Sequence, residues 1–382
     1  MNIKKIISTV AVASMLVGCS TSTDSGSTEL SEGDTVYIGY IGPLTGSTSS
    51  YGIPVANSVE LAIADYNASE DAKYVFELIQ EDSAGDETQA VNAYNSLVAD
   101  GVVGIIGPVL TAESLAVANA SADDLTPIIS SSASGDSVTL ATDGTTRTNF
   151  FRTCANDSQG GSYIASKVGD GTIEATSVAI LTNSDSDYSI GCTDAFVEQA
   201  EADGVEIVYS ESYPSTTTDF STYIDSILAS GADAVFIPDY YETIALMVNQ
   251  FSNRGYDGIF LGTDGWDGVL DIEGVDTSLF NGSYYTNTFD ARVDAIVAYE
   301  ADYLATYGSS TNMFGTMAYD ATMILIAAVE ATGTTDAATI CEALAATDYD
   351  GITGNFQFDD SHNPTKDLVI KTITDGAYSY LD

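Results

Sequence analysis

From residue 35 onward the apolar positions fall into two alternating patterns. Short runs such as "TVYIGYIG", "YVFELIQED", "VVGIIGP", "TPIIS", "SVAILTN", "VEIVYSESY", "ADAVFIPD" and "GIFLGT" are rich in apolar and β-branched residues. Many are nearly continuous in apolar character, as expected of parallel strands covered on both faces. Between them lie "GIPVANSVELAIADYNA", "ETQAVNAYNSLVADG", "STYIDSILASG" and "YETIALMVNQFSNRG", with apolar residues three and four apart. Several end at Gly, so they read as amphipathic helices with glycine near the C-cap. This alternation predicts βαβ units and doubly wound sheets. The pattern runs through the first four strands, meets "TNFFRTCANDSQGG", and starts again. Two similar lobes joined near Arg152 to Asn156 are the expected outcome.

Ligands in such sheets bind beyond the carboxyl ends of strands, so the residues that follow each run matter most. The first half supplies "PLTGSTSSYG" ending at Tyr51, "PVLTAES" with Thr111, and "SSASGD" with Ser131, Ser132 and Ser134. Hydroxyls, backbone N–H groups and helix N-termini of this kind hold a carboxylate without a cation. Thr111 reads equally as a plain N-cap, and the serines as a turn. The second half supplies Tyr188 after "AILTN", Tyr240 and Tyr241 after "AVFIPD", and Asp264 after "IFLGT". A carboxylate desolvated at that strand end needs a counter-charge. Arg254, the nearest base in sequence, lies ten residues back, so the ammonium group of an amino acid suits the position. The alternative is that Asp264 only caps "WDGVLDI" as a helix start.

Composition narrows the partners. The chain has 382 residues, 56 Asp and Glu against 10 Lys and Arg, and a formal net charge of −46. Phosphate binding needs clustered bases, so nucleic acid is excluded as a partner. At roughly 1 M salt the screening length falls to about 3 Å and most self-repulsion disappears. A saline medium is therefore expected, with an acidic habitat as the alternative. Residues 1–18 read as a signal peptide, a basic start followed by a short apolar run. They lead into "LVGC", which resembles a bacterial lipobox with Cys19 as the lipid-bearing residue. An ordinary signal peptide with a chance Cys is the other reading. Residues 19–35 read as a flexible tether, and no later segment reads as long and apolar enough to span a membrane. Cys154, Cys192 and Cys341 are odd in number. A Cys154–Cys192 disulfide and buried free thiols are both open. No His/Cys spacing suggests a metal.

Several stretches in order, "IGPLTGSTSSYG", "ETQAVNAYNSLVADGVVGIIGP", "FRTCANDSQGG", "DYSIG", "VFIPDYY", "FLGTDGW" and "MAYDATMIL", resemble the extracellular solute-binding proteins of ABC transporters. The resemblance is to the branched-chain amino acid (Leu/Ile/Val) type with the type I periplasmic-binding fold. It implies an α/β protein of two doubly wound parallel-sheet lobes joined by a three-crossing hinge. Lobe 1 would comprise residues 36–153 and 285–359, and lobe 2 residues 154–284 and 360–382, with crossings near Arg152, Tyr284 and Asp360. Arg152 is expected to brace the hinge. The resemblance further implies that Tyr51, Tyr188, Tyr240 and Phe314 contact the ligand as aromatic walls. Thr111 and Ser134 would bind its carboxylate, Ser132 would offer backbone contact, and Asp264 would receive its ammonium. Asp264 is one methylene shorter than the Glu often found there. Gly85 and Leu110 stand at positions of a disulfide common in the family, so that bridge is expected to be absent. The implied protein is a lipid-anchored extracytoplasmic monomer without cofactor or metal. It delivers an amino acid to ABC permease subunits; a ligand-sensing receptor of the same fold, or one for an amide or urea, is the alternative.

Two rivals are weaker. His362, the single histidine, lies in the polar turn "DDSHNPTK" and is expected to be solvent-exposed rather than catalytic. No GxSxG, GxxxxGK[ST] or HExxH stretch occurs, which argues against an enzyme. "NSDSDYSIGCTD" has acids at calcium-loop spacing, but Tyr188 stands where such a loop needs Gly.

Overall fold

The computed structural model describes residues 28–381. The first sheet is built from β1 (Thr35–Gly42), β2 (Val75–Asp82), β3 (Gly104–Ile106), β4 (Ile128–Ser130) and β5 (Phe150–Arg152). Helices α1 (Ser49–Ala68), α2 (Glu87–Ala99) and α3 (Thr111–Ala120) connect its first four strands. All pairings are parallel, in the order β2-β1-β3-β4-β5. The chain then crosses to a second sheet. There α4 (Asp157–Gly169), β6 (Ser177–Asn183), α5 (Asp187–Asp203), β7 (Glu206–Tyr213), α6 (Ser221–Ser230), β8 (Ala234–Phe236), α7 (Tyr241–Asn253), β9 (Ile259–Gly262) and β10 (Tyr284–Asn287) follow. Its parallel strands run β7-β6-β8-β9-β10, which is the first sheet's order over again. In each sheet the order reverses beside its first strand, and that switch point opens a crevice at the strand ends.

The chain returns with α8 (Asp294–Tyr307), α9 (Met313–Thr332), α10 (Ala337–Ala345) and the hairpin β11 (Asp348–Gly351) and β12 (Gly354–Gln357). α9 packs along α1 and reaches β3 and β4. It is long and apolar enough, by length and composition, to cross a membrane, contrary to the sequence reading. Yet 78% of its apolar window is buried, because it forms the inner layer over the first sheet. A last crossing leads to β13 (Val369–Thr374) and β14 (Ala377–Tyr380), which extend the second sheet antiparallel. The second lobe is thus a parallel sheet with an antiparallel edge.

Two boundaries move, and one residue sits otherwise than expected. β10 pairs with β9 and Tyr285 lies over Trp266 with ring centroids 6.3 Å apart, so the second crossing follows Asn287 rather than Tyr284. The end of the expected tether is not free. The Thr28 carbonyl accepts from Thr335 N at 2.7 Å and Thr334 Oγ1 at 2.9 Å, and Leu30 N donates to Gly333 O at 2.8 Å. A polar Ser/Thr segment still carries a full backbone hydrogen-bonding edge, and here it pairs with the α9–α10 connection. His362 is not a solvated loop residue, for its ring stacks on Phe151 at 4.0 Å and Nδ1 lies 3.0 Å from Phe150 O. Cys154, Cys192 and Cys341 are buried free thiols. The signal peptide and Cys19 lie outside the described residues.

Candidate ligand-binding cleft

The ends of β1, β3, β4, β6, β8 and β9 face one another across the lobes. A narrow pocket lies between them, lined by Tyr51, Thr111, Ser132, Ser134, Tyr188, Tyr240, Asp264 and Phe314, with Val109, Leu110 and Gly265. All eight residues singled out in the sequence therefore meet at one place. They sit there because the fold puts successive strand ends on one rim.

At one end Thr111 opens α3, whose first N–H groups have no intrahelical acceptor. Thr111 Oγ1 accepts from Gly135 N at 3.2 Å, which leaves its proton to donate. The Ser132 hydroxyl is committed, donating to Val109 O at 2.7 Å, and its N–H is directed at Ser130 Oγ at 3.4 Å. Arg152 is fully buried; it donates to Ala133 O and Thr139 Oγ1, both at 3.0 Å. It braces the serine turn after β4 and lines neither cavity.

At the other end Asp264 begins a short 3₁₀ turn after β9. Burial raises its carboxyl to about 7, against hydrogen bonding from Tyr188 and Gly265 that favours the charged form. Gly265 is required, since a Cβ there would lie 2.4 Å from Asp239 O and 2.7 Å from Tyr188 Oη. Gly265 N donates to Tyr188 Oη at 2.9 Å, and Tyr188 Oη and Thr263 Oγ1 share a bond at 2.6 Å.

Aromatic rings form the remaining wall. Tyr188 stacks on Tyr240 with centroids 5.2 Å apart, and Tyr51 meets Phe314 edge-on at 5.1 Å. Tyr51 also joins the lobes: its hydroxyl donates to Gly265 O at 2.6 Å and accepts from Tyr241 N at 3.1 Å. Asp267 accepts from Met313 N, at the start of α9, at 2.7 Å. The lobes are closed upon each other.

One residue was missed. A second narrow pocket shares Ser134 and Asp264 with the first and is lined by Asp157, Cys192, Thr263 and Thr286 among others. Asp157 is the first residue of α4 and 1% exposed. Its Oδ1 takes a 3.4 Å contact from Cys192 Sγ, the Ser134 hydroxyl favours its charged form, and its Oδ2 has no close hydrogen-bond partner. Burial, then the nearby Asp264, push its carboxyl well above the usual range. In the sequence Asp157 follows an Asn156–Gln159 capping pattern, so it reads as an ordinary helix-start acid. Only the approach of β9 from another part of the chain makes it a cleft residue. The acids of Asn183–Asp194 lie on the β6–α5 turn and the start of α5, not on a calcium-type loop.

Known proteins share this architecture. The chain is 29% identical over 319 residues to the Leu/Ile/Val-binding protein BraC3 of Rhizobium johnstonii, covering 83% of this chain and 84% of that protein. It is 26% identical over 340 residues to the leucine-, isoleucine-, valine-, threonine- and alanine-binding protein of Pseudomonas aeruginosa, covering 86% of each. Its structure resembles the branched-chain amino acid transporter substrate-binding protein LivJ of Streptococcus pneumoniae, solved with isoleucine. That match has a TM-score of 0.82 and 26% identity, over 91% of this chain and 99% of that one. The leucine-binding protein LivK of Thermotoga maritima matches with a TM-score of 0.82 and 26% identity, over 90% and 97% of the two chains. The sequence profile of the periplasmic binding proteins matches residues 35–377, the whole two-lobed body around the cleft, and the chain belongs to that family.

Proposed function

We propose that this chain is an extracytoplasmic receptor that captures an amino acid, branched-chain or otherwise aliphatic, between its lobes and delivers it to an ABC importer. The observation that carries this reading is one pocket whose lining joins carboxylate-binding groups with a single acid. The N-terminus of α3 and the Thr111 and Ser134 hydroxyls line it, and so does Asp264. A zwitterion suits that lining, with its carboxylate on the helix amides and its ammonium on Asp264. Val109, Leu110, Tyr51, Tyr240 and Phe314 leave an apolar space for the side chain. The names of the relatives, which bind leucine, isoleucine and valine, point the same way.

The mechanism is capture rather than catalysis. The open receptor takes the carboxylate on the first lobe. Closure then brings Tyr188, Tyr240 and Asp264 onto the ligand and expels water. Ligand favours the closed form because only that form makes both sets of contacts. The receptor acts as a monomer held to the membrane by lipid on Cys19.

Calorimetry with the twenty amino acids tests this. An aliphatic amino acid binds, and Asp264→Ala weakens it at least about tenfold, the loss of about 1.4 kcal/mol or more of a charge-assisted bond. Circular dichroism checks that the variant folds. Unchanged affinity in a folded variant removes Asp264 from the site.

A further inference from the structure

Asp157 opens α4 directly after the first crossing and is buried. Its amide donates to Ser134 O at 2.8 Å, which ties it to the serine turn after β4. The helix is capped by its neighbours. Asn156 Oδ1 accepts from Gln159 N at 2.8 Å, and Gln159 Oε1 accepts from Asn156 N at 3.1 Å. The Asp157 carboxylate is therefore not spent on the cap. Its Oδ1 meets the Cys192 thiol at 3.4 Å, and the Ser134 hydroxyl stands beside it. Its Oδ2 lies against bare backbone, since a Cβ on Gly191 would stand 2.7 Å from it, and it has no close hydrogen-bond partner.

No base in the lining answers this charge. In the narrow pocket that Asp157 borders, Thr263, Thr286 and Asn287 are neutral, and Asp264 is a second acid. Arg152 is the base whose field reaches Asp157, but it donates to Ala133 O and Thr139 Oγ1 and does not line the pocket. Two buried carboxylates on one small space, without a cation between them, carry a desolvation cost that a positively charged ligand group offsets. Ser134 and Asp264 border this pocket and the main one alike. An α-amino acid carries its carboxylate and its ammonium on one carbon, so the acceptors of the ammonium must stand beside the groups that hold the carboxylate. Asp157, bonded to Ser134, stands there. A primary ammonium has three N–H donors, enough to reach both acids.

We propose that Asp157 is a second ligand-binding acid, which holds the ligand's α-ammonium together with Asp264. The pair makes the site selective for an α-amino acid over the same carbon skeleton without the amine. This inference rests on the amino-acid reading above, and its test separates the two.

The test pairs the amino acid that binds best with its deaminated analogue, 4-methylpentanoate in the case of L-leucine. By calorimetry, Asp157→Asn binds the amino acid about tenfold or more weakly than wild type does. It binds the analogue as wild type does, or more tightly, because the analogue brings only a negative charge to the site. Binding of the analogue is read from the rise in melting temperature that it produces at high concentration. Asn keeps the shape of the side chain, and circular dichroism checks the fold; Asp157→Ser takes its place if the Asn variant does not fold. If Asp157 only shapes the start of α4, both ligands lose affinity by the same factor, and that result overturns the proposal. Unchanged amino-acid affinity in a folded variant also overturns it, while binding by wild type leaves the amino-acid reading intact. Wild type that binds no amino acid overturns that reading and this inference with it.

Discussion

At the scale of single residues the cleft is a problem of charge without counter-charge. Asp264 and Asp157 both border the shared space, and the cavities they line contain no Lys or Arg. Burial holds both carboxyls up, with repulsion from Asp267 added at Asp264 and from Asp264 added at Asp157. An ammonium group reverses that for Asp264, since the charged form then gains a partner. Binding below about pH 7 must release the proton that Asp264 holds, so affinity falls as pH is lowered toward about 5. Titration in buffers of different ionisation enthalpy measures the proton released at pH 6. Asp264→Asn releases none and binds weakly throughout. A wild-type affinity that strengthens steadily from pH 7 to pH 5 rules out Asp264 as the ammonium partner. The residue types after each strand were legible because hydroxyls, aromatics and acids recur at successive strand ends. The use each is put to was not. Ser132 spends its hydroxyl on Val109 O, a bond between residues 23 apart that no local pattern announces.

At the scale of elements, the turn that carries Asp264 also fastens the lobes. Three residues on, Asp267 caps the N-terminus of α9 through Met313 N and takes the ammonium of Lys371 at 2.5 Å, with Tyr285 Oη at 3.2 Å. Lys371 is nearly buried, 4.2 Å from the centre of the Tyr378 ring. Asp267→Ala strands that ammonium and uncaps α9. It is expected to destabilise the fold by about 3 kcal/mol or more, read as a lower urea midpoint. Lys371→Met with Asp267→Asn recovers most of the loss, because a buried pair replaced by neutral groups of similar volume is close to neutral. A double variant no better than Asp267→Ala counts against this account. The long elements were legible from their periods, β1, β2, β6 and β7 among the strands and α1, α2 and α7 among the helices. The three- and four-residue strands β5, β10, β11, β12 and β14 were not read as strands. A run that short shows no period, and it becomes a strand only when a neighbour pairs with it. Missing β10 is what misplaced the second crossing.

At the scale of the whole molecule the net charge of −46 is the dominant feature outside the cleft. Among the described residues the ion pairs are few, and three of them, Lys167–Asp170, Arg254–Asp225 and Arg292–Asp290, lie at the surface. Surface pairs of that kind contribute little, so repulsion among the remaining acids is relieved mainly by salt. Raising NaCl from about 0.1 M to about 2 M is expected to lift the melting temperature by several degrees. A midpoint that stays level or falls removes the case for a saline habitat, and stabilisation on acidification alone then favours the acidic one.

The sequence by itself determined the alternation of strands and helices, the repeated βαβ halves and the row of polar and aromatic residues after the strands. Each of these is local, set by side-chain period and by the residue that ends an element. The tertiary structure alone decided that Asp157 is a cleft residue, that residues 28–30 pair with the α9–α10 connection, and that Asp267 of one lobe caps a helix of the other. It also decided which carboxyls are held near neutrality. Those outcomes depend on burial and on contacts between residues far apart in the chain, and a carboxylate's charge is set by what surrounds it in space, not by its neighbours in sequence.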